Sequence, residues 1–193
     1  MKSIARFIMK LHGWEMDTNV PPEAQYCVML AAPHTSNWDA YFMRLAFFVL
    51  GIPVRFTIKD YWTKFPFGLI VKPLGGLGIN RRGNSKERGG KSYVEQMIEF
   101  FQKNKRIAVV VTPEGTRDRN DKWKTGFYYT ALGANVPITF GYLDYKLKKA
   151  GVSSIVLHPT GNKEEDLKVM IDFYKTIHPL HPEKFALDTR YVR

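Results

Sequence analysis

The sequence predicts a single α/β domain with a central, mostly parallel or mixed sheet that is flanked by helices. Its 193 residues suffice for one domain with a proper core, and a hydrophobic content of 45% excludes a disordered chain. Short apolar runs alternate along the chain with stretches of helical periodicity, which is typical of α/β domains. Several runs are apolar at nearly every position, as expected for strands that are covered on both faces.

The predicted elements follow one another with short connections and no obvious linker. Six apolar runs predict strands, at residues 26–32, 54–58, 77–80, 107–112, 138–142 and 154–158. Helical periodicity predicts helices at residues 38–50, 91–104 and 164–177. We also expect Asn162 and Glu165 to form a capping pair at the start of the last helix.

The first 16 residues predict an amphipathic N-terminal helix that precedes the domain at residues 17–193. One face of this helix is apolar and another is basic, with Ile4, Phe7, Ile8, Leu11 and Trp14 on the first and Lys2, Arg6 and Lys10 on the second. Such a helix can lie in the plane of a membrane interface, or it can cover the domain core. Both interpretations stay open at this point.

The composition limits the classes of partner. A net charge of +11 and a pI near 9.7 predict an anionic partner, such as a phosphorylated substrate or an anionic membrane surface. No RNA- or DNA-binding signature accompanies the charge, so nucleic acid is not expected. The longest apolar run, residues 45–54, is too short to cross a bilayer, so no transmembrane helix is expected.

Cysteine and histidine usage predicts neither a disulfide framework nor a metal site. Cys27 is the single cysteine and lies in an apolar run, which indicates a buried strand residue. The histidines at positions 158, 178 and 181 match no metal-ligand spacing with acidic partners.

The first candidate motif is His34-Thr-Ser-Asn-Trp-Asp39, which follows a predicted strand and precedes a predicted helix. A neutral histidine can remove a proton from a hydroxyl near neutral pH, and a nearby carboxylate can orient the ring. This loose spacing also occurs by chance. The chain contains no Gly-x-Ser-x-Gly sequence, which disfavours a hydrolase with a serine nucleophile.

The second candidate motif, Pro113-Glu-Gly-Thr-Arg117, is more specific. Its glycine permits a tight turn, and Arg117 supplies a fixed cation that can pair with two oxygens of a phosphate or carboxylate. This motif also follows a predicted strand. Because ligands of open α/β sheets bind beyond the carboxyl ends of the strands, we expect both motifs to open into one crevice.

Four sequence blocks, in order, resemble the glycerolipid acyltransferase family, the group that contains 1-acylglycerol-3-phosphate acyltransferase. The blocks are His34-x4-Asp39, Gly75-Gly-Leu-Gly-Ile-Asn-Arg81, Pro113-Glu-Gly-Thr-Arg117 and Val136-Pro137-Ile138. Lys124 and Gly126 also resemble the Lys-x-Gly stretch that often follows the third block of that family. The ordered set spans about half of the chain and is far more specific than any one block.

The resemblance implies roles for individual residues. His34 would be the general base and Asp39 its partner. The acceptor's phosphate would be bound in a pocket formed by Arg81, Glu114, Gly115, Thr116 and Arg117. The two arginines would supply the positive charge, because the guanidinium fork pairs with phosphate oxygens while staying charged.

The resemblance also implies a function for residues 17–193 as an acyltransferase domain. A fatty acyl chain would pass from acyl-CoA or an acyl-carrier protein to the free hydroxyl of a lysophospholipid in phospholipid biosynthesis, most simply 1-acylglycerol 3-phosphate. No cofactor beyond the acyl donor is implied. The protein would be peripheral, at the cytoplasmic face of the membrane.

Two alternatives stay open. The same chemistry could act on glycerol 3-phosphate or a lyso-aminolipid. A non-enzymatic basic protein could instead bind anionic membrane or nucleic acid, and its affinity would then fall steeply with salt. The presence of both His34 and Asp39 disfavours this second alternative, because an electrostatic binder needs neither.

Overall fold

The computed structural model describes residues 2–79 and 91–192. Within them lie the helices α1 (Lys2–Leu11), α2 (Asn37–Leu50), α3 (Gly68–Val71), α4 (Tyr93–Lys103), α5 (Gly126–Ala134) and α6 (Lys163–Tyr174). The strands are β1 (Glu15–Met16), β2 (Tyr26–Ala31), β3 (Val54–Lys59), β4 (Gly76–Ile79), β5 (Ile107–Val111), β6 (Ile138–Asp144) and β7 (Lys149–Leu157).

The seven strands form one mixed sheet in the order β1-β7-β6-β2-β5-β3-β4. Every neighbouring pair is parallel except β6 and β7, which are antiparallel. Val28 of β2 is in register with Val109 of β5 on one side and with Ile138 of β6 on the other. The carboxyl ends of these three strands therefore meet at one edge of the sheet. The predicted α/β fold with a mixed central sheet is confirmed.

Helices cover both faces of the sheet and divide the core into two layers. On one face α4, α5 and α6 bury large side chains that include Phe101, Tyr128 and Tyr174. On the other face α1 and α2 bury Met9 and Phe47. Full burial of one such apolar side chain stabilises the folded state by about 1.5–3 kcal/mol. The two layers therefore hold the sheet edge in place.

Helix α2 has strong signals at both ends. Ser36 is its N-cap residue, and the side chain of Asp39 accepts a hydrogen bond from the Ser36 N–H, which completes a capping box. Gly51 ends the helix in the left-handed conformation at φ 76°, where a residue without Cβ is favoured. The apolar run at residues 45–54 is therefore the end of a buried helix followed by a turn, as the sequence predicts.

Some elements differ from those that the sequence predicts. Helix α5 has no strong amphipathic pattern because apolar residues lie all around it, and β1 and α3 are too short for a periodic signal. Strand β7 begins at Lys149, five residues earlier than predicted, as the second strand of a hairpin with β6. The predicted cap at Asn162 is wrong, because its side chain makes no capping hydrogen bond.

Helix α1 ends at Leu11, so it is shorter than the helix predicted for the first 16 residues, and Trp14 lies beyond its end. The helix is bound to the domain. Met9 is fully buried in the core, whereas Ile4, Phe7 and Leu11 are exposed. Strand β1 follows and pairs with β7, so the sheet begins two residues before the boundary predicted between residues 16 and 17. Over the described residues, helices with the length and apolarity to cross a bilayer are absent.

Candidate active site

A cavity of about 880 Å³ lies where the carboxyl edge of the sheet meets α2. Most of its wall is apolar and comes from α2, β3 and β5, including Met43, Leu45, Phe47, Val54, Phe56 and Val110. His34, Asp39 and Lys124 also line it. The cavity therefore joins an apolar space to titratable and cationic groups.

His34 lies in the short loop between β2 and α2, at the sheet edge predicted for it. Its Nδ1 atom faces Asp39, 3.7 Å from Oδ2, which is within ion-pair range but too long for a hydrogen bond. The Nε2 atom is thus the ring nitrogen left for a substrate proton. The side chains of His34 and Asp39 line the same cavity.

Asp39 is buried and held by three hydrogen bonds. Its Oδ2 atom accepts from the backbone N–H groups of Thr35 at 2.6 Å and Ser36 at 2.8 Å. Its Oδ1 atom accepts from the hydroxyl of Tyr145 at 2.6 Å. The carboxylate therefore caps α2 and faces His34 at the same time, with little freedom to rotate.

The surroundings of His34 favour the neutral imidazole. Burial lowers the pKa of His34, the negative charge of Asp39 raises it, and the positive charge of Arg117 lowers it, with burial the largest of these influences. The net pKa lies below the usual value of 6.5. A neutral ring at neutral pH is the form that can accept a proton.

Glu114 supports the loop of His34 from inside the protein. The side chain is buried, and its Oε1 atom accepts a hydrogen bond from the backbone N–H of His34 at 3.1 Å. Its Oε2 atom has no hydrogen-bond partner among the described residues. Burial raises the pKa of Glu114 to about 7, and nearby Asp39 adds to the rise, while backbone N–H groups of Glu114 and His34 oppose it.

Glu114 thus contacts the loop of His34, and its part in a phosphate pocket stays a prediction. The next residue, Gly115, forms a turn at φ 67°, where its Cβ position would lie 2.7 Å from Nζ of Lys124. The backbone N–H of Lys124 donates to the carbonyl of Pro113 at 2.8 Å. A glycine at position 115 therefore allows the Lys124 side chain to lie against the third block.

Arg117 joins the third block to the first. Its guanidinium donates a hydrogen bond to the side-chain oxygen of Asn37, the first residue of α2. Arg117 is exposed, so its remaining N–H groups are accessible to an anion. The hydroxyl of Thr116 accepts from the backbone N–H of Asp118 at 3.2 Å and shapes the turn. The first and third blocks therefore meet in one crevice.

The second block is described only in part. Strand β4 carries its first residues, with Leu77 and Ile79 buried in the core. Arg81, the predicted second phosphate ligand, lies outside the described residues. Its predicted role stays a prediction.

Tyr145 is a site residue that the sequence reasoning missed. It follows β6 directly, and β6 is a parallel neighbour of β2, so its hydroxyl can reach Asp39. The ring packs edge-on against Trp14, with centroids 5.0 Å apart. The sequence does show that Tyr145 lies shortly after a predicted strand, where site residues are often found. Only the observed strand order, however, places Tyr145 beside Asp39.

A second histidine–aspartate pair lies near the first. Nδ1 of His178 is 2.9 Å from Oδ2 of the buried Asp144, whose Oδ1 atom accepts from the backbone N–H groups of Lys146 and Leu147. His178 is exposed and does not line the cavity of His34.

As for metals, the described residues include no group of three or more His, Cys, Asp or Glu that could hold an ion.

Comparisons with known proteins place this chain in a family. Residues 15–139 match the family model described as Acyltransferase. The 1-acyl-sn-glycerol-3-phosphate acyltransferases of Escherichia coli (strain K12) and Salmonella typhimurium are each 30% identical over 135 residues, which is 66% of this chain and 52% of the relative. The chain thus spans about half the length of the curated relatives it matches.

The fold also resembles a solved structure. This is the 1-acyl-sn-glycerophosphate (LPA) acyltransferase, PlsC, from Thermotoga maritima, with a TM-score of 0.56 over 90% of this chain and 75% of that chain. At 17% identity this likeness concerns the fold alone. Since the family model covers well over half of the chain, the chain belongs to the acyltransferase family, and the resemblance inferred from the four blocks is confirmed.

Proposed function

We propose that this protein transfers a fatty acyl chain from an acyl thioester to the free hydroxyl of a lysophospholipid, with 1-acylglycerol 3-phosphate as the acceptor, in phospholipid biosynthesis. The observation that carries the proposal is the cavity of about 880 Å³, in which a histidine–aspartate pair adjoins a largely apolar wall. An acyl chain needs such a wall, and the proton of the acceptor hydroxyl needs such a base.

The chemistry follows from the orientation of His34. Its Nε2 atom removes the proton of the acceptor hydroxyl while that oxygen attacks the thioester carbonyl carbon. The C–S bond then breaks, and the imidazolium returns the proton to the leaving thiolate, so that an ester and a free thiol result. Asp39 keeps the ring oriented and stabilises the positive charge that it carries between the two steps.

Cations beside the cavity bind the acceptor's phosphate in this proposal. Arg117 is hydrogen-bonded to the start of α2, and Lys124 lines the cavity wall next to Gly115. A phosphate held there would keep the hydroxyl of the same molecule close to His34, which reduces the entropic part of the barrier. The phosphate-binding role predicted for Arg81, which lies outside the described residues, is part of the same proposal.

The acceptor and product are lipids, so the protein works at a membrane surface. We place it as a peripheral protein at the cytoplasmic face, where acyl-CoA and acyl-carrier protein are available. Exposed Ile4, Phe7 and Leu11 on α1, with the basic residues of the same helix, support contact with an anionic bilayer. Deleting α1 would also remove buried Met9, so surface substitutions are the better test.

The decisive experiment combines acyl-CoA and acyl-carrier-protein donors with a panel of acceptors. The panel contains 1-acylglycerol 3-phosphate, glycerol 3-phosphate and a lyso-aminolipid. Thiol release and mass spectrometry of the lipid product report turnover, with His34→Ala as the inactive reference. We expect turnover with 1-acylglycerol 3-phosphate that the variant loses.

Each other outcome selects a different conclusion. If the protein prefers another acceptor of the panel, that acceptor replaces 1-acylglycerol 3-phosphate in the proposal, and the proposed chemistry stays the same. Equal thiol release by wild type and His34→Ala for every pair would reject acyl transfer. Salt-sensitive binding to vesicles or nucleic acid in the absence of turnover would then favour the non-enzymatic alternative.

A further inference from the structure

The segment between β3 and β4, residues 61–74, exposes an unusual number of large apolar side chains. We call it the aromatic segment. Its exposed members are Tyr61, Trp62, Phe65, Phe67, Leu69, Ile70 and Leu74. Phe65 is 85% and Leu69 71% exposed. Single exposed apolar residues are ordinary, but a contiguous group of this size indicates an interaction surface.

The aromatic segment has a defined structure. The ring centroids of Trp62 and Phe67 are 4.9 Å apart, and the ring of Tyr61 lies within 6.0 Å of both. Gly68 lets the short helix α3 approach the preceding turn, because a Cβ there would lie 2.3 Å from the carbonyl oxygen of Thr63. The exposed side chains are therefore presented by an ordered surface.

The chemistry of the aromatic segment fits an anionic bilayer. Lys64 and Lys72 are exposed within it, and Asp60, 3.4 Å from Lys64, is the only acidic residue between positions 60 and 79. Tyrosine and tryptophan favour the interface between lipid and water. Each lysine near an anionic leaflet adds further attraction. The net charge of the whole chain, +11, is positive like the charge of these lysines.

The aromatic segment is also continuous with the cavity of His34. Leu74, at its end, lines the cavity together with Phe56 and Thr57 of the adjoining strand β3. A lipid chain that leaves a bilayer at this segment would enter the apolar cavity without crossing water. This position distinguishes the aromatic segment from the exposed face of α1.

We propose that the aromatic segment inserts into the interfacial layer of an anionic bilayer beside the cavity, as a lipid contact separate from α1. The proposal deepens the proposed function and rests on it for the reason to bind lipid. The insertion itself can be measured without any turnover. The two ideas can therefore fail separately.

The first test uses vesicles of phosphatidylcholine with and without 30% phosphatidylglycerol. The variant Phe65→Ser/Leu69→Ser/Ile70→Ser removes the most exposed apolar residues of the segment. We expect its partitioning to anionic vesicles to be at least about tenfold weaker than that of wild type. The matched control, Leu147→Ser/Ile155→Ser/Val169→Ser, changes three exposed apolar residues elsewhere and should partition like wild type.

The second test does not depend on how the triple variant folds. Cys27 is buried, and burial raises its pKa to about 12, so a new surface cysteine can be labelled selectively. A polarity-sensitive fluorophore on Leu69→Cys should shift to shorter wavelength with anionic vesicles, whereas the same fluorophore on Leu147→Cys should not. An unshifted spectrum at position 69 would overturn the proposal.

A second copy of the chain is the competing occupant of this surface. Sedimentation velocity of wild type and the triple serine variant without lipid distinguishes the two. A dimer that the variant abolishes, together with unchanged vesicle binding, would overturn the proposal. Vesicle insertion without detectable turnover on any acceptor would uphold the proposal and reject the proposed function.

Discussion

The two histidine–aspartate pairs at the carboxyl edge of the sheet each have a buried aspartate, but they differ in the surroundings of the histidine. The pair His178–Asp144 has the shorter contact, 2.9 Å, and an exposed imidazole. The pair His34–Asp39 is separated by 3.7 Å, but it lines the apolar cavity and lies beside Arg117 and Glu114. A short hydrogen bond alone is therefore a poor guide to a candidate general base. The surroundings of His34 are what make it the candidate in the proposed function.

Position in the chain explains the difference. Asp144 accepts backbone N–H groups within the β6–β7 hairpin and holds the C-terminal segment through His178, which is a structural task. Asp39 lies in the first turn of α2 and faces His34, whose loop opens onto the cavity, where a substrate can reach the imidazole ring. The comparison predicts that one pair governs turnover and the other governs stability.

The largest effect should come from His34→Ala. Loss of the proposed general base should lower kcat by about 100- to 10,000-fold, since proton transfer by a positioned side chain contributes this much. His178→Ala is the matched control and should retain turnover close to wild type. Initial rates of thiol release at saturating acceptor provide the measurement, and equal losses in the two variants would abolish the distinction between the pairs.

Asp39→Asn and Asp144→Asn sharpen the same contrast. We expect Asp39→Asn to lower kcat at least about 100-fold, because the imidazolium loses its counter-charge, and to destabilise α2 through its cap. Asp144→Asn should cost about 1–3 kcal/mol of unfolding free energy with little change in kcat. Steady-state kinetics and urea unfolding at pH 7 separate the two; a large kcat loss in Asp144→Asn would contradict the structural assignment.

The carboxyl groups beside the two histidines should respond to pH in opposite directions. The pKa of Glu114 is raised from 4.5 to about 7, so the folded state keeps a proton that the unfolded state releases between these values. The contribution of Glu114 to the stability of the wild type therefore falls as pH rises from 4.5 to 7. Over that range Glu114→Gln should gain on the order of 3 kcal/mol relative to wild type.

Asp144 provides the opposite case. Burial raises the pKa of Asp144, but hydrogen bonds from His178 and from backbone N–H groups together outweigh burial and lower the pKa below 3.8. The contribution of Asp144 to stability is therefore present above pH 3.8 and is lost as pH falls below it. Urea unfolding of Glu114→Gln and Asp144→Asn between pH 3 and 8 checks both signs. A pH-independent difference between Glu114→Gln and wild type would show that Glu114 titrates normally.

Arg117→Gln tests the cation beside the His34 pair. We expect the acceptor KM to rise about tenfold, because a charge-assisted contact to phosphate is lost. The pKa of His34 should rise, since Arg117 lowers it, so the acidic limb of kcat/KM should move to higher pH. Arg119→Gln, which alters an exposed neighbouring arginine, is the control. An unchanged KM and pH profile would remove Arg117 from the site.

Tyr145→Phe should give the smallest effect. The tyrosine joins the two pairs, since its hydroxyl donates to Asp39 and its backbone N–H donates to the carbonyl of His178 at 2.9 Å. Removing the hydroxyl leaves Asp39 with its two backbone hydrogen bonds, so kcat should fall only about threefold to tenfold. Kinetics over a pH series measures this, and a loss as large as that of Asp39→Asn would make Tyr145 equal in importance to the pair itself.

The sequence predicts those parts of the fold that depend on local pattern. Apolar runs predict the central strands, and the order of four short blocks predicts the family. The meeting of the first and third blocks follows from both blocks lying beyond the carboxyl ends of strands. Tyr145 and the pairing of His178 with Asp144 depend instead on strand order, which no local pattern encodes.

Two other features also escape local pattern. The apolar surface of α5 surrounds the helix, so periodicity does not reveal it. The motif predicts that Glu114 lies in a pocket beside Arg117. With the turn at Gly115, the side chain of Glu114 is instead buried against the backbone of His34. Whether such a carboxyl faces solvent or core depends on backbone geometry that the motif alone does not specify.

The capping box at the start of α2 has an evolutionary consequence. Asp39 begins a helix as well as facing a histidine, whereas the His34 side chain serves only chemistry in the proposed function and makes no hydrogen bond within the part of the chain that the structure describes. A duplicated copy of this gene released from selection for turnover could lose the histidine at little cost to its fold, while losing the aspartate would damage it. Drift toward an inactive relative should therefore remove position 34 before position 39.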